Sequence, residues 1–197
     1  MNSIRIITAP RAPHFEDLQT LGQSIPSDWF GQSLTIPTRV LFWIADERLH
    51  FLAHASRGPG QHHPDSRPSQ YHAELWKYDV AEFFLLDPRT GQYLEFNLAP
   101  NGAWWSCGFS SPRTPSPGEP TAIPDLETHS RQEDRSWSAH ASLPLAWLRE
   151  HYHFGEPSKI NATLILRSPD QIFLTAAAPP GGAPDFHRPD QFLKVEF

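Results

Sequence analysis

The sequence contains a single cysteine, Cys107, among its 197 residues. One cysteine excludes an intramolecular disulfide, which fits folding in a reducing compartment. Long apolar runs are also missing. No stretch approaches the roughly 20 apolar residues of a membrane-spanning helix, and the first residues lack the apolar segment of a signal peptide. We therefore predict no membrane association and, by default, a cytoplasmic location.

Clustered positive charge is the second absence. The chain has 16 lysines and arginines against 22 aspartates and glutamates, a net charge of −6 with histidines neutral, and no run of basic residues. Nucleic-acid-binding proteins use a concentrated basic patch to attract phosphates. The composition therefore predicts no nucleic-acid partner.

Proline, in contrast, is abundant: 21 residues, concentrated in segments 57–72, 110–124 and 176–190. Because proline lacks a backbone donor, these segments are predicted to be loops. The sequence between them divides into about nine short β-like segments, two of which flank a hairpin turn at Asp46-Glu47. Residues 143–152, LPLAWLREHY, are typical of a short helix. We predict one domain over residues 1–197, an all-β antiparallel β-sandwich of the jelly-roll or immunoglobulin-like kind with one short helix.

Residues 75–86, LWKYDVAEFFLL, predict a strand with one acid on each face. Side chains alternate across a strand, so Glu82 shares a face with Trp76, and Asp79 lies on the opposite, more apolar face. At the start of the strand, Asp79 is expected to accept hydrogen bonds from backbone donors in a loop. Six residues of strand cover roughly 20 Å, so Trp76 and Glu82 contact one ligand only if the chain bends between them.

The next strand, YLEFNL, alternates apolar residues with Glu95 and Asn97. If the two strands pair so that their apolar sets adjoin, Glu82 lies on the same face as Glu95 and Asn97. Aromatic rings stack on the C–H faces of sugars, and carboxylates and amides bind hydroxyls, so this face suits a saccharide. The alternative is a solvated face of the sheet, and periodicity alone favours this alternative.

Four segments in order resemble the family 9 carbohydrate-binding modules and their DOMON-like relatives. LWKYDVAEFFLL and GQYLEFNLAPNGAWW are similar to a Trp-x-x-Asp-x-x-Glu strand followed by a Tyr-x-Glu-Phe-x-x-x-Pro-x-Gly strand. SWSAHASLPLAWL is similar to a later Trp-led strand that leads into a turn of helix, and PPGGAPDFHRPDQFLKVEF resembles the tail of bacterial DOMON-like proteins. The resemblance covers residues 40–197.

The resemblance implies a DOMON-like β-sandwich whose sugar-binding members hold a saccharide between two tryptophans. By position, Trp76 would be one aromatic wall and Glu82 a carboxylate that binds hydroxyls, with Glu95 and Asn97 on the same sheet face.

The resemblance is weaker at the second wall. No tryptophan follows Trp147, so a second wall near the C-terminus is either missing or replaced by Phe186 or His187. His187 is therefore a candidate ligand contact, and its alternative role is to hold the loop by bonding to the backbone.

We predict a non-catalytic module that binds a small saccharide or a related polar ligand through Trp76, Glu82, Glu95, Asn97 and His187. One alternative is a structural or protein-interaction domain that has lost sugar binding. Another is a weak glycoside-processing enzyme that uses Glu82 and Glu95 as a carboxylate pair. The enzyme is disfavoured because an open sheet face would give little desolvation to separate the two pKa values.

Metal and cofactor sites have less support. Asp79, Asp87 or Asp185 could bind a structural calcium ion, as in some relatives. The histidines of residues 57–72 are more typical of a loop than of a transition-metal site. The sole methionine is Met1, so Met/His ligation of haem is excluded, and no cofactor is predicted. The sequence makes no prediction of the oligomeric state.

Overall fold

The computed structural model of the chain describes residues 2–58, 60–118, 121–178 and 181–197. Within these ranges most regular structure is β, which confirms the prediction of an all-β fold. The strands are β1 (Ser3–Thr8), β2 (Gln23–Ser24), β3 (Thr38–Ala45), β4 (Arg48–Ala55), β5 (Val80–Leu86), β6 (Tyr93–Leu98), β7 (Trp104–Ser111), β8 (Thr114–Pro115), β9 (Glu127–Glu133), β10 (Ser136–Pro144), β11 (Lys159–Leu166), β12 (Ile172–Thr175) and β13 (Leu193–Glu196). The helices are α1 (Asp17–Leu21), α2 (Leu145–Tyr152) and two 3₁₀ turns at Leu75–Lys77 and Pro189–Gln191.

The strands form one mixed sheet in the order β8-β7-β6-β5-β11-β13-β1-β3-β4-β10-β9, with β12 beside β11 and β2 beside β3. Strand β1 joins the two halves: its first residues pair with β13 and its last with β3, both in parallel. The prediction of a wholly antiparallel sheet is therefore wrong at β1. The N-terminal segment was not recognised as a strand, so its two parallel partners could not be anticipated.

The two halves of the sheet pack against each other through an apolar core. Phe42 of β3 and Phe51 of β4 contact Phe83 of β5, with ring centroids 5.8 and 5.1 Å apart. Phe96 of β6 lies 5.2 Å from Phe83 on the same side. All four side chains are buried. Each contributes roughly 1.5–3 kcal/mol relative to an exposed position, so this layer is a main source of stability.

The pairing of β5 with β6 follows the predicted register. Glu82 lies opposite Asn97, and Phe84 lies opposite Glu95, so the acids share the face directed away from the core. The hairpin at Asp46-Glu47 is confirmed as well, because Ala45 pairs with Arg48 around it.

The outer face of β5, β6 and β7 is covered by the C-terminal segment. Phe186 and Phe192 of this segment pack on Phe84, with ring centroids 6.4 and 5.7 Å apart, and Phe192 also contacts Tyr93 at 5.9 Å. Both faces of the β5–β6 hairpin are therefore buried. This covered outer face, rather than the main core, carries the polar residues that the sequence singled out.

The proline-rich segments are largely loops, with exceptions. Residues 110–124 include the end of β7 and the short strand β8, and residues 176–190 run into a 3₁₀ turn. Positions 59, 119–120 and 179–180 of these predicted loops lie outside the described residues.

The predicted helix is present as α2. It begins directly after Pro144, where a missing backbone donor costs nothing, and buries Trp147 and Leu148. Helix α1, which has five residues and buries Leu18, was not predicted. None of the helices in the described ranges has the length and apolar character needed to cross a membrane.

Candidate functional site

The chain bends immediately before β5, and this bend determines where Trp76 lies. Residues Leu75–Lys77 form a 3₁₀ turn instead of extending the strand, and Glu74 before them has a left-handed backbone with φ of 63°. Asp79 holds the bend, because its carboxylate accepts hydrogen bonds from the backbone N–H of Gln61 at 3.3 Å and of Ser168 at 2.8 Å. The expected loop-bonding role of Asp79 is confirmed.

A cavity of about 280 Å³ lies between the outer face of β5–β7 and the C-terminal segment. This volume is near the lower limit of the roughly 300–1,000 Å³ typical of pockets for larger ligands, so it suits a ligand with one ring. Its aromatic walls are Trp76, Phe84, Trp105, Phe109, Phe173 and Phe186. Its polar and charged walls are Glu82, Glu95, Arg113, Asp185 and His187.

Four of the five residues that the sequence predicted as ligand contacts line this one cavity: Trp76, Glu82, Glu95 and His187. Asn97 does not line it. It is 0% exposed, and its side-chain amide donates a hydrogen bond to Oε1 of Glu95 at 2.9 Å. Asn97 therefore orients the side chain of Glu95.

The alternative of a solvated sheet face is wrong. Glu82 is 2% exposed and Glu95 is 5% exposed. The strand alternation was read correctly, but it cannot reveal that a distant segment of chain covers the outer face. For the same reason, the expectation that this acid pair would experience little desolvation is wrong.

Glu82 is the more strongly perturbed of the two acids. Burial raises its pKa well above the ordinary value, and the nearby negative charge of Glu95 raises it further. The hydroxyl of Thr163, on the neighbouring strand β11, donates a hydrogen bond to Oε2 of Glu82 at 2.8 Å. Burial and the neighbouring Glu95 therefore favour the protonated, neutral form of Glu82, and Thr163 holds one of its oxygens.

Glu95 titrates closer to neutrality. Burial raises its pKa to about 7, although the hydrogen bond from Asn97 acts in the opposite direction. Oε2 of Glu95 lies 3.5 Å from Nε2 of His187. The two glutamates thus share a desolvated environment in which ionisation of both side chains at once is energetically unfavourable.

His187 is held by a short chain of hydrogen bonds. The Tyr93 hydroxyl accepts from the backbone N–H of Arg113 at 3.2 Å and lies 2.8 Å from Nδ1 of His187. If Tyr93 donates to Nδ1, the proton of the neutral ring lies on Nε2, which faces Glu95. Burial lowers the pKa of His187 to about 4, which is consistent with a neutral ring. Its side chain bonds to this tyrosine, in contrast to the alternative of a backbone contact.

Trp105 is the wall residue that the sequence interpretation missed. Its ring lies 5.0 Å from that of Trp76 in an edge-to-face arrangement, and both rings line the cavity. The signal was available, because Trp105 lies opposite Asn97 in the β6–β7 register and therefore on the polar face. Phe186, which the sequence offered as a replacement for the second wall, also lines the cavity. Cys107 packs as a small buried hydrophobe beside these residues.

The candidate calcium ligands have other partners within the protein. Asp87 accepts a hydrogen bond from Thr90 at 2.8 Å and lies 2.7 Å from His153. Asp185 pairs with Arg113 at 2.8 Å. In the part of the chain that the structure describes, no group of three or more His, Cys, Asp or Glu side chains is arranged to hold a metal ion.

No protein-family model matches the chain. Among curated proteins, it is similar to the UPF0462 protein C4orf33 homologs of Mus musculus, 28% identical over 141 residues, and Rattus norvegicus, 31% identical over 147 residues. It is also 30% identical over 141 residues to the Homo sapiens UPF0462 protein C4orf33. Each match covers 68% of this chain, together with 69% of the mouse, 66% of the rat and 66% of the human protein. The chain thus spans about two thirds of the length of these relatives, whose names state no activity.

Solved structures with a similar fold include carbohydrate-binding proteins. A candidate carbohydrate-binding protein from Bacteroides uniformis has a TM-score of 0.64 and 17% identity, with 98% of each chain covered. A family 9 carbohydrate-binding module from Caldicellulosiruptor kristjanssonii in complex with glucose has a TM-score of 0.57 and 14% identity, with 98% of this chain and 95% of that chain covered. A family 9 module from the same organism in complex with cellotriose has a TM-score of 0.59 and 13% identity, with 98% of this chain and 92% of that chain covered. At these identities the similarity establishes the fold alone.

Proposed function

We propose that the protein is a non-catalytic carbohydrate-binding domain that takes one ring of a small saccharide into the cavity between Trp76 and His187. The observation that carries this proposal is the combination of a single-ring cavity, a partly exposed tryptophan at its mouth and two buried carboxyls in its wall. Stacking on an aromatic ring favours the C–H face of a sugar, and carboxyls in a desolvated site select hydroxyl groups by direction.

The side chains have distinct roles in this proposal. Trp76, which is 37% exposed, offers its ring to the incoming sugar. Glu82 and Glu95 exchange hydrogen bonds with hydroxyls, and a neutral Glu82 can donate as well as accept. Asn97 and His187 position Glu95 from either side.

The fold comparison supports the proposal without carrying it. The Caldicellulosiruptor module was solved with glucose and with cellotriose, and both complexes share this fold. The two facing halves of the sheet and this similarity favour classification as a jelly-roll-like β-sandwich. DOMON-like membership remains a prediction from the sequence resemblance.

Binding of monosaccharides and short oligosaccharides, measured by intrinsic tryptophan fluorescence and by calorimetry, tests the proposal. We expect a saturable response to at least one sugar and at least a tenfold loss of affinity in Trp76→Ala, equivalent to about 1.4 kcal/mol. Tyr71→Ala is the matched control, because Tyr71 is 41% exposed and contacts Trp104 instead of the cavity. Unchanged affinity in Trp76→Ala would move the site elsewhere. No response to any sugar from folded protein would favour a structural or protein-interaction role.

A second candidate, glycoside hydrolysis, gains one observation from the structure. Glu82 and Glu95 are buried together with raised pKa values, which is the environment a catalytic carboxyl pair requires. Release of nitrophenol from a panel of nitrophenyl glycosides distinguishes the two functions. We expect no turnover. Turnover that disappears in Glu95→Gln would replace the binding proposal with an enzymatic one.

A further inference from the structure

Two carboxyl groups of the cavity have no cationic partner supplied by the protein. Glu82 and Glu95 are both buried, and among the described residues neither forms an ion pair with a lysine or arginine. Buried acids are normally paired or neutralised by a proton, because an isolated buried charge is very costly. Without a ligand, this pair therefore depends on protons for neutralisation, and a cationic ligand could take over that role for one of the two acids.

The cations near the cavity are committed to another acid. Arg113 bonds Asp185 at 2.8 Å, and Arg188 lies 3.4 Å from the same carboxylate. His187 faces Glu95, but its Nδ1 is bonded to the hydroxyl of Tyr93, and burial keeps the ring neutral. Arg113 and Arg188 thus pair with Asp185; Arg113 also lowers the pKa of Glu95, but it forms no ion pair with either glutamate.

Glu82 also presents an unused polar atom to the cavity. Thr163 bonds its Oε2, whereas Oε1 has no hydrogen-bond partner in the described part of the chain. The side chain is buried and lines the cavity. This oxygen is therefore available for a hydrogen bond with a ligand in the cavity.

The remaining walls also favour a cation. Trp76, Trp105, Phe84 and Phe186 surround the glutamates. The negative faces of aromatic rings attract ammonium groups, and the attraction is stronger where water is excluded. Aromatic rings combined with acids that lack a counter-ion are the chemistry that recognises a protonated amine. A neutral sugar would use the hydroxyl-binding capacity of the site and leave the carboxyls protonated.

We infer that the favoured ligand carries a protonated amine, and, resting on the proposed saccharide function, that it is a single-ring amino sugar whose ammonium group lies between Glu82 and Glu95. The ammonium supplies one positive charge, so one carboxyl of the pair ionises when it binds and the other keeps its proton. The proton that is lost passes to the solvent. A neutral sugar of the same size releases none.

Calorimetry on the wild-type protein with glucosamine, glucose and cyclohexylamine tests the inference. The titrations are run at about pH 6, below the usual pKa of an amine, in two buffers with different ionisation heats. We expect glucosamine to bind at least tenfold more tightly than glucose. We also expect its apparent enthalpy, unlike that of glucose, to change with the buffer because protons are released.

Isosteric variants locate the effect. Glu95→Gln and Glu82→Gln should each reduce the affinity for glucosamine at least tenfold, reduce the proton release and lower the preference for glucosamine over glucose. Asp87→Asn is the matched control, because Asp87 is a buried acid with its own partners outside the cavity. If one glutamine variant does not fold, the other variant and the wild-type proton release still decide the question.

The outcomes separate this inference from the proposed function. Glucose binding as tightly as glucosamine would overturn the amine inference and leave the saccharide function intact. Equal affinity for cyclohexylamine and glucosamine, with no response to glucose, would support recognition of an amine and contradict the saccharide function. No binding of any of the three to folded protein would contradict both.

Discussion

The outer face of β5–β7 carries the acids Glu82 and Glu95, whereas the outer face of β4 and β10 carries the histidines His50, His54 and His140. His50 and His140 lie with Nδ1 and Nε2 3.0 Å apart, and His54 lies 3.0 Å from the hydroxyls of Ser138 and Ser56. Burial lowers the pKa of all three histidines, that of His140 to about 3, and the neighbouring His50 contributes to the shift in His140. Both faces thus favour neutral side chains, but from opposite starting charges.

The difference predicts opposite effects of pH on stability. The folded state keeps protons on Glu82 and Glu95 that the unfolded chain loses above its ordinary glutamate pKa, so the stability contributed by this face falls as the pH rises from that value to about 7, the pKa of folded Glu95. The histidine face behaves in reverse. Below about pH 6.5 these histidines are protonated in the unfolded chain but stay neutral in the folded protein, so stability falls as the pH decreases. The cavity is therefore the face whose polar groups become costly at the neutral pH where a ligand would bind.

The apolar core between the two halves of the sheet is the reference for the two outer faces, and a substitution there should cause the largest loss of stability. Phe83→Ala removes a buried ring that contacts Phe42, Phe51 and Phe96, and we expect a loss of about 3–5 kcal/mol in the free energy of unfolding. Because this layer contains no titratable group, the loss should be the same at every pH. Urea denaturation between pH 5 and 8 measures it. Phe30→Ala, at a side chain that is 66% exposed, should change little.

Glu95→Gln removes the cost of the carboxyl face while keeping the acceptor for Asn97. We expect this variant to be more stable than the wild type at pH 8, by on the order of 3 kcal/mol, because the pKa shift of Glu95 corresponds to an energy of that size. The gain should vanish below the ordinary glutamate pKa, where the folded and unfolded chains are both protonated. A variant that is equally stable or less stable at pH 8 would mean that the acid pair is not strained in the folded protein.

His140→Gln addresses the histidine face and should have a smaller effect. When the pH is lowered from 6.5 to 5, the wild type should lose about 1–2 kcal/mol more stability than the variant. The reason is that His140 of the wild type binds a proton in the unfolded chain but not in the folded protein, and glutamine binds none. Melting temperatures across this range provide the measurement. If both proteins lose stability in parallel, His140 is protonated in the folded state and the contrast between the two faces disappears.

Much of the cavity could be anticipated from strand alternation. The alternation in residues 80–86 and 93–98 placed Glu82, Glu95 and Asn97 on one face, and the observed register agrees. The sequence indicated that the chain must bend if Trp76 and Glu82 are to contact one ligand, but it did not predict that the bend exists. The left-handed backbone at Glu74 has no clear sequence signature.

The cover over this face could not be predicted. It depends on Phe186 and Phe192 crossing strands about 100 residues earlier in the chain, a tertiary contact that periodicity cannot encode. The same limitation concealed β1, whose parallel partners lie in distant parts of the chain. As a result, the identities of the site residues were accessible from the sequence, whereas their burial and their charge state were not.

A crystal structure of the protein with a saccharide that binds it in solution tests the proposed cavity most directly. We expect one sugar ring stacked on Trp76, with polar groups within hydrogen-bond distance of Glu82 and Glu95. An empty cavity under saturating conditions, or a sugar bound on another surface, would contradict the assignment of this cavity as the binding site.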